Sequence, residues 1–245
     1  MPSIAVALRR KYRGLQKKYF LSRSIKETSK EIVRNCARGN KTLRKDLERA
    51  IEFASAKFRG KYRQDGKTHL FLHSLFLLAV LKAFGEKQPE TYLAAMLHDV
   101  LEDTAATKKE LRSLKFRSTP GKNVASYVEA LSQNKSISDK PQGKSVISPR
   151  VRNFIKRLKN SPSPIINVEL ADRVHDLLDL DYLKTLKPAE ARSRLNNKIK
   201  RGKTIVAEIT RGRKDFNKRL FKFSCLLSKS TFQNQLSRRR INLSP

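Results

Sequence analysis

Histidine and carboxylate side chains cluster in the stretch LHDVLEDT, at residues 97–104. Residues three and four apart share one face of a helix, so His98 would face Glu102, and Asp99 would face Asp103. Three carboxylates at the C-terminal end of a helix oppose the helix dipole, and a bound divalent cation would reverse that cost. The stretch therefore indicates either a cation site or an acidic helix end that is simply solvated.

A second stretch, VELADRVHDLLDLD at residues 168–181, repeats this pattern. Asp172, His175, Asp176 and Asp179 are spaced to lie along one helical face, and the aliphatic residues between them supply a buried surface. A carboxylate beside buried aliphatic side chains must be paired, hydrogen-bonded or bound to a metal. Ion pairs with Arg173 would satisfy that need without any metal.

Taken together, the two stretches and one earlier histidine supply two imidazoles and two carboxylates. This ligand set consists of His73, His98, Asp99 and Asp172. Mixed nitrogen and oxygen ligands suit Mn²⁺, with Fe, Zn and Mg as competitors, and leave positions open for water and substrate. Of the other two histidines, we expect His175 to be a core residue that supports the site and His69 to lie at the surface.

Three predicted helices must bring the ligand set together. His73 heads an apolar helix over 73–84, His98 and Asp99 lie on a helix over 89–102, and Asp172 lies on one over 165–180. Helical periodicity or start signals predict further helices over 42–58, from 107, over 124–131, from 149 and over 188–210. The alternation typical of strands is scarce, so we expect an all-α helical bundle.

Composition limits the class of protein. The 245 residues carry 55 Lys and Arg against 22 Asp and Glu, a net charge of +33. This length fits one domain over 41–210 with basic extensions over 1–40 and 211–245. The longest apolar stretch, 70–81, is too short to cross a membrane, so no membrane partner is expected. Two widely spaced cysteines favour a reducing compartment; we expect the cytoplasm, with an organellar presequence at the basic N-terminus as the alternative.

The ordered pattern H…HD…D resembles that of the HD phosphohydrolase superfamily. The strings LAAMLHDVLEDT and VELADRVHDLLDL are similar to the hydrolase domain of the RelA/SpoT homologues, which typically reads AALLHDVLEDT and VKLADRLHN. RGKYRQDGKTHLFLHS and ALSQNKSIS resemble neighbouring segments of that domain, so the resemblance covers about residues 43–200. The small hydrolase-only type, including the metazoan SpoT homologue, is the form most resembled, and we expect no alarmone synthetase domain to follow.

The resemblance implies an HD fold and a role for each site residue. The ligand set matches the four Mn²⁺ ligands of the family, and Glu102 and Asp103 match the acidic pair that positions and activates the attacking water. Arg63 matches an arginine at the phosphate-bearing end of the substrate. The family reaction removes pyrophosphate from the 3′ position of guanosine tetra- or pentaphosphate, so the implied partner is a guanosine polyphosphate.

Several positions depart from the family pattern. Asp176 stands where the family has an asparagine of the nucleotide pocket, and Gln64 replaces a lysine that often follows the arginine. Ser74 replaces a proline, and the spacing from Arg63 to His73 is one residue longer. These departures keep open a second substrate, another phosphorylated nucleotide such as NADPH losing its phosphate.

The basic remainder of the chain suggests a third, non-enzymatic hypothesis. Lys and Arg cluster at 197–203 and 238–240, and phenylalanines at 216, 221 and 223 could stack on bases. The chain would then be an inactive HD scaffold that binds RNA, DNA or the ribosome. A solvated basic surface explains the same residues, and a complete ligand set argues against an inactive site.

Overall fold

A computed structural model describes residues 2–22, 24–63, 66, 68–140, 147–179 and 187–229. These residues form helices joined by turns, with one isolated antiparallel bridge between Tyr62 and His69 and no strand among them. The all-α prediction is therefore confirmed. In chain order the helices are α1 (Pro2–Ser22), α2 (Ile25–Cys36), α3 (Lys41–Lys57), α4 (Phe71–Ala83), α5 (Pro89–Leu97), α6 (Val100–Asp103), α7 (Lys108–Ser113), α8 (Gly121–Leu131), α9 (Pro149–Lys159), α10 (Ser163–Leu178), α11 (Pro188–Thr210) and α12 (Lys218–Leu227).

The core is built around α4, α5 and α10, which pack against one another. Every residue of α4 from Phe71 to Leu81 is buried, as is every residue of α5 from Thr91 to Leu97. A helix that is apolar on all sides can only be stable inside a protein, so these two helices occupy the centre. The outer helices pack around them, with α3 and α8 on α5 and with α12 on α10.

The helix ends follow the local signals in the sequence. Thr107 and Glu110 form the expected capping box at the start of α7, and Ser148 caps α9 ahead of Pro149. Gly85, at a φ of 83°, follows the end of α4, where only glycine adopts this left-handed conformation without strain. In the described part of the chain no helix is both long and apolar enough to cross a membrane.

One predicted helix is interrupted. The sequence predicts a continuous helix over 89–102, but α5 ends at Leu97 and α6 begins at Val100. The side chain of His98 explains the break, because its Nδ1 bonds to the carbonyl oxygen of Ala95 at 2.9 Å, which Asp99 N–H would take in a regular helix. The helix therefore stops at the two residues that carry the predicted chemistry.

The N-terminal segment is not a solvated extension as expected. Buried residues recur every three or four positions in α1 and α2, which pack against each other and against α4. They are Ala5, Leu8, Tyr12 and Leu15 in α1 and Ile32, Val33 and Cys36 in α2. This helical period gives both helices an apolar face, which is stable only when buried, so the segment belongs to the bundle. The domain limits at 41 and 210 stay a prediction.

The C-terminal segment also differs from expectation, because α12 packs on α10. Phe223 is fully buried against Phe84, with ring centroids 5.1 Å apart. Phe216 and Phe221 contact each other at 5.4 Å and lie partly buried against the core. A buried Phe223 ring cannot stack on bases, as the nucleic-acid hypothesis required, so the described residues give no support to nucleic-acid binding. The basic run at 238–240 and Gln64 lie outside the described residues.

Candidate active site

The ligand set converges at the centre of the bundle. His73 lies in the first turn of α4, His98 and Asp99 form the turn between α5 and α6, and Asp172 lies on α10. His73 Nε2 is 3.1 Å from His98 Nε2, 3.1 Å from Asp172 Oδ1 and 3.6 Å from Asp99 Oδ2. His98 Nε2 is 3.0 Å from Asp99 Oδ2. Four ligand atoms from three segments therefore point at one place.

Hydrogen bonds on the far side of each imidazole orient its ring. His98 Nδ1 donates to Ala95 O, which leaves the Nε2 lone pair directed at the cluster. His73 Nδ1 lies 2.9 Å from Nδ1 of the fully buried His175. Burial first, and then the neighbouring His73 and Arg63 side chains, hold the pKa of His175 well below its ordinary value, so this ring is neutral. His175 therefore supports His73 and does not face the other ligand atoms. The expectation for His69 is wrong, because its side chain is buried and not at the surface.

This arrangement fits a divalent cation. Two imidazole lone pairs and two carboxylate oxygens so close together repel one another unless positive charge lies among them. Burial lowers the pKa of His98, but the Asp99 and Asp172 carboxylates outweigh it and raise that pKa to about 9. Nitrogen and oxygen atoms of His73, His98 and Asp172 lie within 4.8 Å of one another, as ligands of a single metal ion must.

The ion pairs with Arg173 that the sequence suggested for the second stretch also form, on α10. Arg173 is partly buried and contacts three carboxylates: it bonds to Asp172 Oδ2, and it lies 3.0 Å from Glu169 and 2.9 Å from Asp176. Asp172 therefore turns one oxygen to Arg173 and the other to His73. Burial raises the pKa of Asp172, but Arg173 and His73 hold it well below its ordinary value. Pairing with Arg173 and facing the ligand cluster are thus compatible.

Glu102 and Asp103 lie on α6, beside the ligand set. Glu102 Oε2 accepts the backbone N–H of Gln133 at 2.9 Å, and Asp103 Oδ1 accepts Lys135 Nζ at 2.8 Å. Burial raises the pKa of Glu102, and the nearby charges of Asp99 and Asp103 act in the same direction against the Gln133 hydrogen bond. A carboxylate with a raised pKa holds a proton more readily, as a proton acceptor in catalysis must.

All eight predicted site residues line one cavity of about 630 Å³. This volume is within the usual range for a small-molecule site. Arg63 reaches the cavity from the turn between α3 and α4, and its Nε bonds to Asp179 Oδ2 at 2.9 Å. Asp176 faces the same cavity and pairs with Lys198 at 3.1 Å. The cavity thus brings together all the side chains that the sequence predicts for the site.

Four cationic residues beyond those predicted for the site also line the cavity: Lys61, Lys135, Arg173 and Lys198. Lys135 lies in the segment ALSQNKSIS, and the resemblance of this segment to the family was a signal that could have identified Lys135 as a site residue. Lys198 belongs to α11 and reaches the cavity only because α11 packs on α10. No feature of the sequence around Lys198 distinguishes it from the many other lysines of this chain.

Residues 50–200 match the family model of the HD domain. This span is more than half of the chain, so the protein belongs to the HD domain family. Among its relatives, the chain is 34% identical over 140 residues to a guanosine-3′,5′-bis(diphosphate) 3′-pyrophosphohydrolase of Spiroplasma citri. It is 32% identical over 142 residues to the bifunctional (p)ppGpp synthase/hydrolase SpoT of Escherichia coli strain K12.

Each of these two alignments covers 57% of this chain, and they span only 18% and 19% of the two relatives. The fold matches a solved structure of a metazoan ortholog of SpoT that hydrolyzes ppGpp. The TM-score is 0.56 at 20% identity, over 74% of this chain and 93% of that chain. The resemblance to the RelA/SpoT hydrolase domain is therefore confirmed in sequence and in fold.

Proposed function

We propose that the protein is a metal-dependent phosphohydrolase that removes the 3′-pyrophosphate from guanosine 3′,5′-bis(diphosphate). The observation that carries this proposal is the convergence of the ligand set beside Glu102 and Asp103, in a cavity that also holds Arg63. The names of the relatives from Spiroplasma citri and Escherichia coli support the choice of substrate.

Each group in the cavity has a role in this reaction. A divalent metal ion, for which we propose Mn²⁺, would be held by the ligand set and would supply an acidified water and a polarised phosphoryl oxygen. Glu102, whose pKa is raised by burial, accepts the proton of the attacking water. The hydrogen bond from Lys135 orients the Asp103 carboxylate. Arg63 binds phosphoryl oxygens through its N–H donors.

The charge of the cavity makes substrate binding depend on the metal. Carboxylates outnumber cationic side chains among the described residues that line it. A divalent cation at the ligand set would add positive charge to this wall and would attract a substrate with several phosphates. We therefore expect the protein to bind polyphosphate ligands weakly until it is loaded with metal.

Asp176 supports a second candidate substrate. Where the family has a neutral asparagine, this chain has a carboxylate that pairs with Arg173 and Lys198. A carboxylate favours hydrogen-bond donors on the ligand and repels phosphates, so the nucleotide portion of the substrate is the part most open to change. The alternative is a different phosphorylated nucleotide, such as NADPH losing its phosphate.

Both described cysteines are free thiols, which supports the cytoplasm as the proposed location.

The test measures product release from each substrate. The purified protein is incubated with Mn²⁺ and either guanosine 3′,5′-bis(diphosphate) or NADPH, and pyrophosphate and phosphate are assayed. Glu102→Gln should lower kcat by a factor of about 10² to 10⁴ while metal stays bound. Glu129→Gln is the matched control, because Glu129 pairs with Lys108 at the surface and lies away from the cavity. A metal-loaded protein that releases no pyrophosphate would refute the proposed substrate.

A further inference from the structure

The first helix lies outside the span matched by the HD family model, yet it bonds to Asp179 of the cavity wall and to Thr68, a neighbour of that wall. Tyr12 donates its hydroxyl to Asp179 Oδ2 at 3.4 Å, and Gln16 Nε2 donates to Thr68 Oγ1 at 2.9 Å. Tyr12 and Gln16 are four residues apart and therefore lie on the same face of α1. One face of this helix thus meets two distant parts of the chain that both border the site.

The two residues that accept hydrogen bonds from α1, Thr68 and Asp179, also each form a hydrogen bond with Arg63. Thr68 accepts the backbone N–H of Arg63 through its carbonyl oxygen at 2.8 Å, and Asp179 accepts Nε of the guanidinium at 2.9 Å. The helix is therefore bonded to the residue that fixes the backbone of Arg63 and to the residue that fixes its side chain. Arg63 itself lies on an irregular turn between two helices, which does not restrain a long side chain by itself.

Tyr12 is itself held firmly by packing. Its side chain is buried, and its ring meets the rings of Phe76 and His175 at centroid distances of 4.9 and 4.8 Å. A hydroxyl carried by a packed ring on a helix is a well-defined hydrogen-bond donor, because few rotamers are open to it. Asp179 Oδ2 therefore meets both this fixed donor and Arg63.

We propose that Tyr12 and Gln16 are positioning residues that hold Arg63 in the orientation in which it binds a phosphoryl group. This inference rests on the proposed function, because it takes Arg63 to be a phosphoryl-binding residue. An arginine that is already oriented loses less conformational entropy when it binds than one that is free to rotate. The first helix therefore contributes to substrate affinity without contacting the substrate.

The test removes each hydrogen bond and measures binding of inorganic pyrophosphate to the metal-loaded protein by titration calorimetry. Tyr12→Phe keeps the packed ring and removes only the hydroxyl, while Gln16→Ala removes the bond to Thr68. Gln16→Ala should weaken pyrophosphate binding about threefold to tenfold, the effect of one ordinary hydrogen bond. Tyr12→Phe should weaken it about twofold to threefold, because the 3.4 Å contact with Asp179 is longer than an ordinary O–H···O bond. KM for guanosine 3′,5′-bis(diphosphate) should rise by a similar factor, with kcat within about twofold and metal affinity unchanged.

Two controls separate positioning from a general loss of stability. Tyr92→Phe removes another buried tyrosine hydroxyl, one that donates to Glu86 O at 2.6 Å and does not line the cavity. It should leave pyrophosphate binding unchanged. In an Arg63→Ala background, Tyr12→Phe should have no further effect, because a positioning residue acts only through the residue it positions.

Four results would overturn the inference. They are unchanged pyrophosphate binding in both α1 variants, equal weakening by Tyr92→Phe, the same effect of Tyr12→Phe with and without Arg63, and pyrophosphate binding that Arg63→Ala leaves unchanged. If Tyr12→Phe does not fold, the binding measured for Gln16→Ala upholds or overturns the inference by itself. Binding that depends on Arg63 and Tyr12 in a protein that leaves the guanosine substrate intact would uphold this inference while refuting the proposed function.

Discussion

Replacing Asp172 by asparagine tests the metal site most directly. The two carboxylate oxygens of Asp172 have different partners, since Oδ1 faces His73 Nε2 at 3.1 Å and Oδ2 is bonded to Arg173. An asparagine has only one acceptor oxygen. Whichever way the amide turns, its NH₂ group faces either the ligand cluster or the guanidinium, and both are sites that need an acceptor.

The expected loss of metal affinity follows from this geometry. Changing a partner behind a metal ligand typically lowers metal affinity about 10- to 100-fold, so losing a charged ligand should cost at least about 100-fold, or roughly 2.7 kcal/mol. At a metal concentration of about 100 times the Kd of the wild type, the ion stabilises the protein by about 2.7 kcal/mol. The variant, at the same concentration, should gain only about 0.4 kcal/mol.

Thermal unfolding with and without Mn²⁺ makes this difference visible. For a protein of this size 1 kcal/mol corresponds to roughly 2–4 °C, so metal should raise Tm by about 5–10 °C in the wild type and about 1 °C in Asp172→Asn. Asp176→Asn is the matched control, because Asp176 lies one turn further along α10 and also pairs with Arg173, at 2.9 Å. It lacks the contact with His73 and should keep most of the metal-induced rise in Tm.

Two results would refute this reasoning. A metal-induced rise in Tm that is the same in Asp172→Asn and the wild type would show that Asp172 is not a ligand. Equal losses in the variants at Asp172 and Asp176 would show that negative charge near Arg173, rather than ligation, governs metal affinity.

The remaining predictions concern pH, charge and stability. In the metal-free protein the pKa of His98 is raised from 6.5 to about 9, so its proton stabilises the fold fully below about pH 6.5 and this contribution is lost as pH rises to 9. Because metal must displace that proton, metal affinity measured by calorimetry should fall about tenfold per pH unit below 9; affinity independent of pH would contradict this. Removing metal with a chelator should abolish pyrophosphate binding, and retention of binding would show that the cavity charge has been misjudged. Asp46→Ala should lower the free energy of unfolding in urea by about 3 kcal/mol, because Oδ2 of the buried Asp46 accepts the backbone N–H groups of Arg117 and Ser118 at 2.9 and 2.7 Å. A loss below about 0.5 kcal/mol would contradict that account.

Short-range signals accounted for most of the helices. The cap at Ser148, the capping box at Thr107 and the glycine after α4 involve residues close together in sequence, so their hydrogen bonds can be anticipated without the fold. The break at His98 was missed because it depends on a side chain competing for a backbone carbonyl. Helical periodicity alone gives no sign of that competition.

The terminal segments were misjudged for a different reason. The apolar face of α1 is weakly periodic and is interrupted by many basic residues, so the sequence favoured a solvated extension. Its burial follows from the surface that α4 offers it, which is a property of the packed bundle. The same applies to Phe223, whose ring is buried against Phe84, 139 positions earlier in the chain.

The sequence by itself determined the helical class. Residue type and spacing within short segments predicted the ligand set, and the resemblance to the RelA/SpoT hydrolase domain predicted the acidic pair. Only the tertiary structure decided that Lys198 faces Asp176 and that Tyr12 meets Asp179, 167 residues away. Such contacts depend on how helices pack, and packing is set by the summed burial of many side chains rather than by any local pattern. The chemistry of this site is therefore evident in a few short motifs, while the residues that orient Arg63 become evident only in the folded chain.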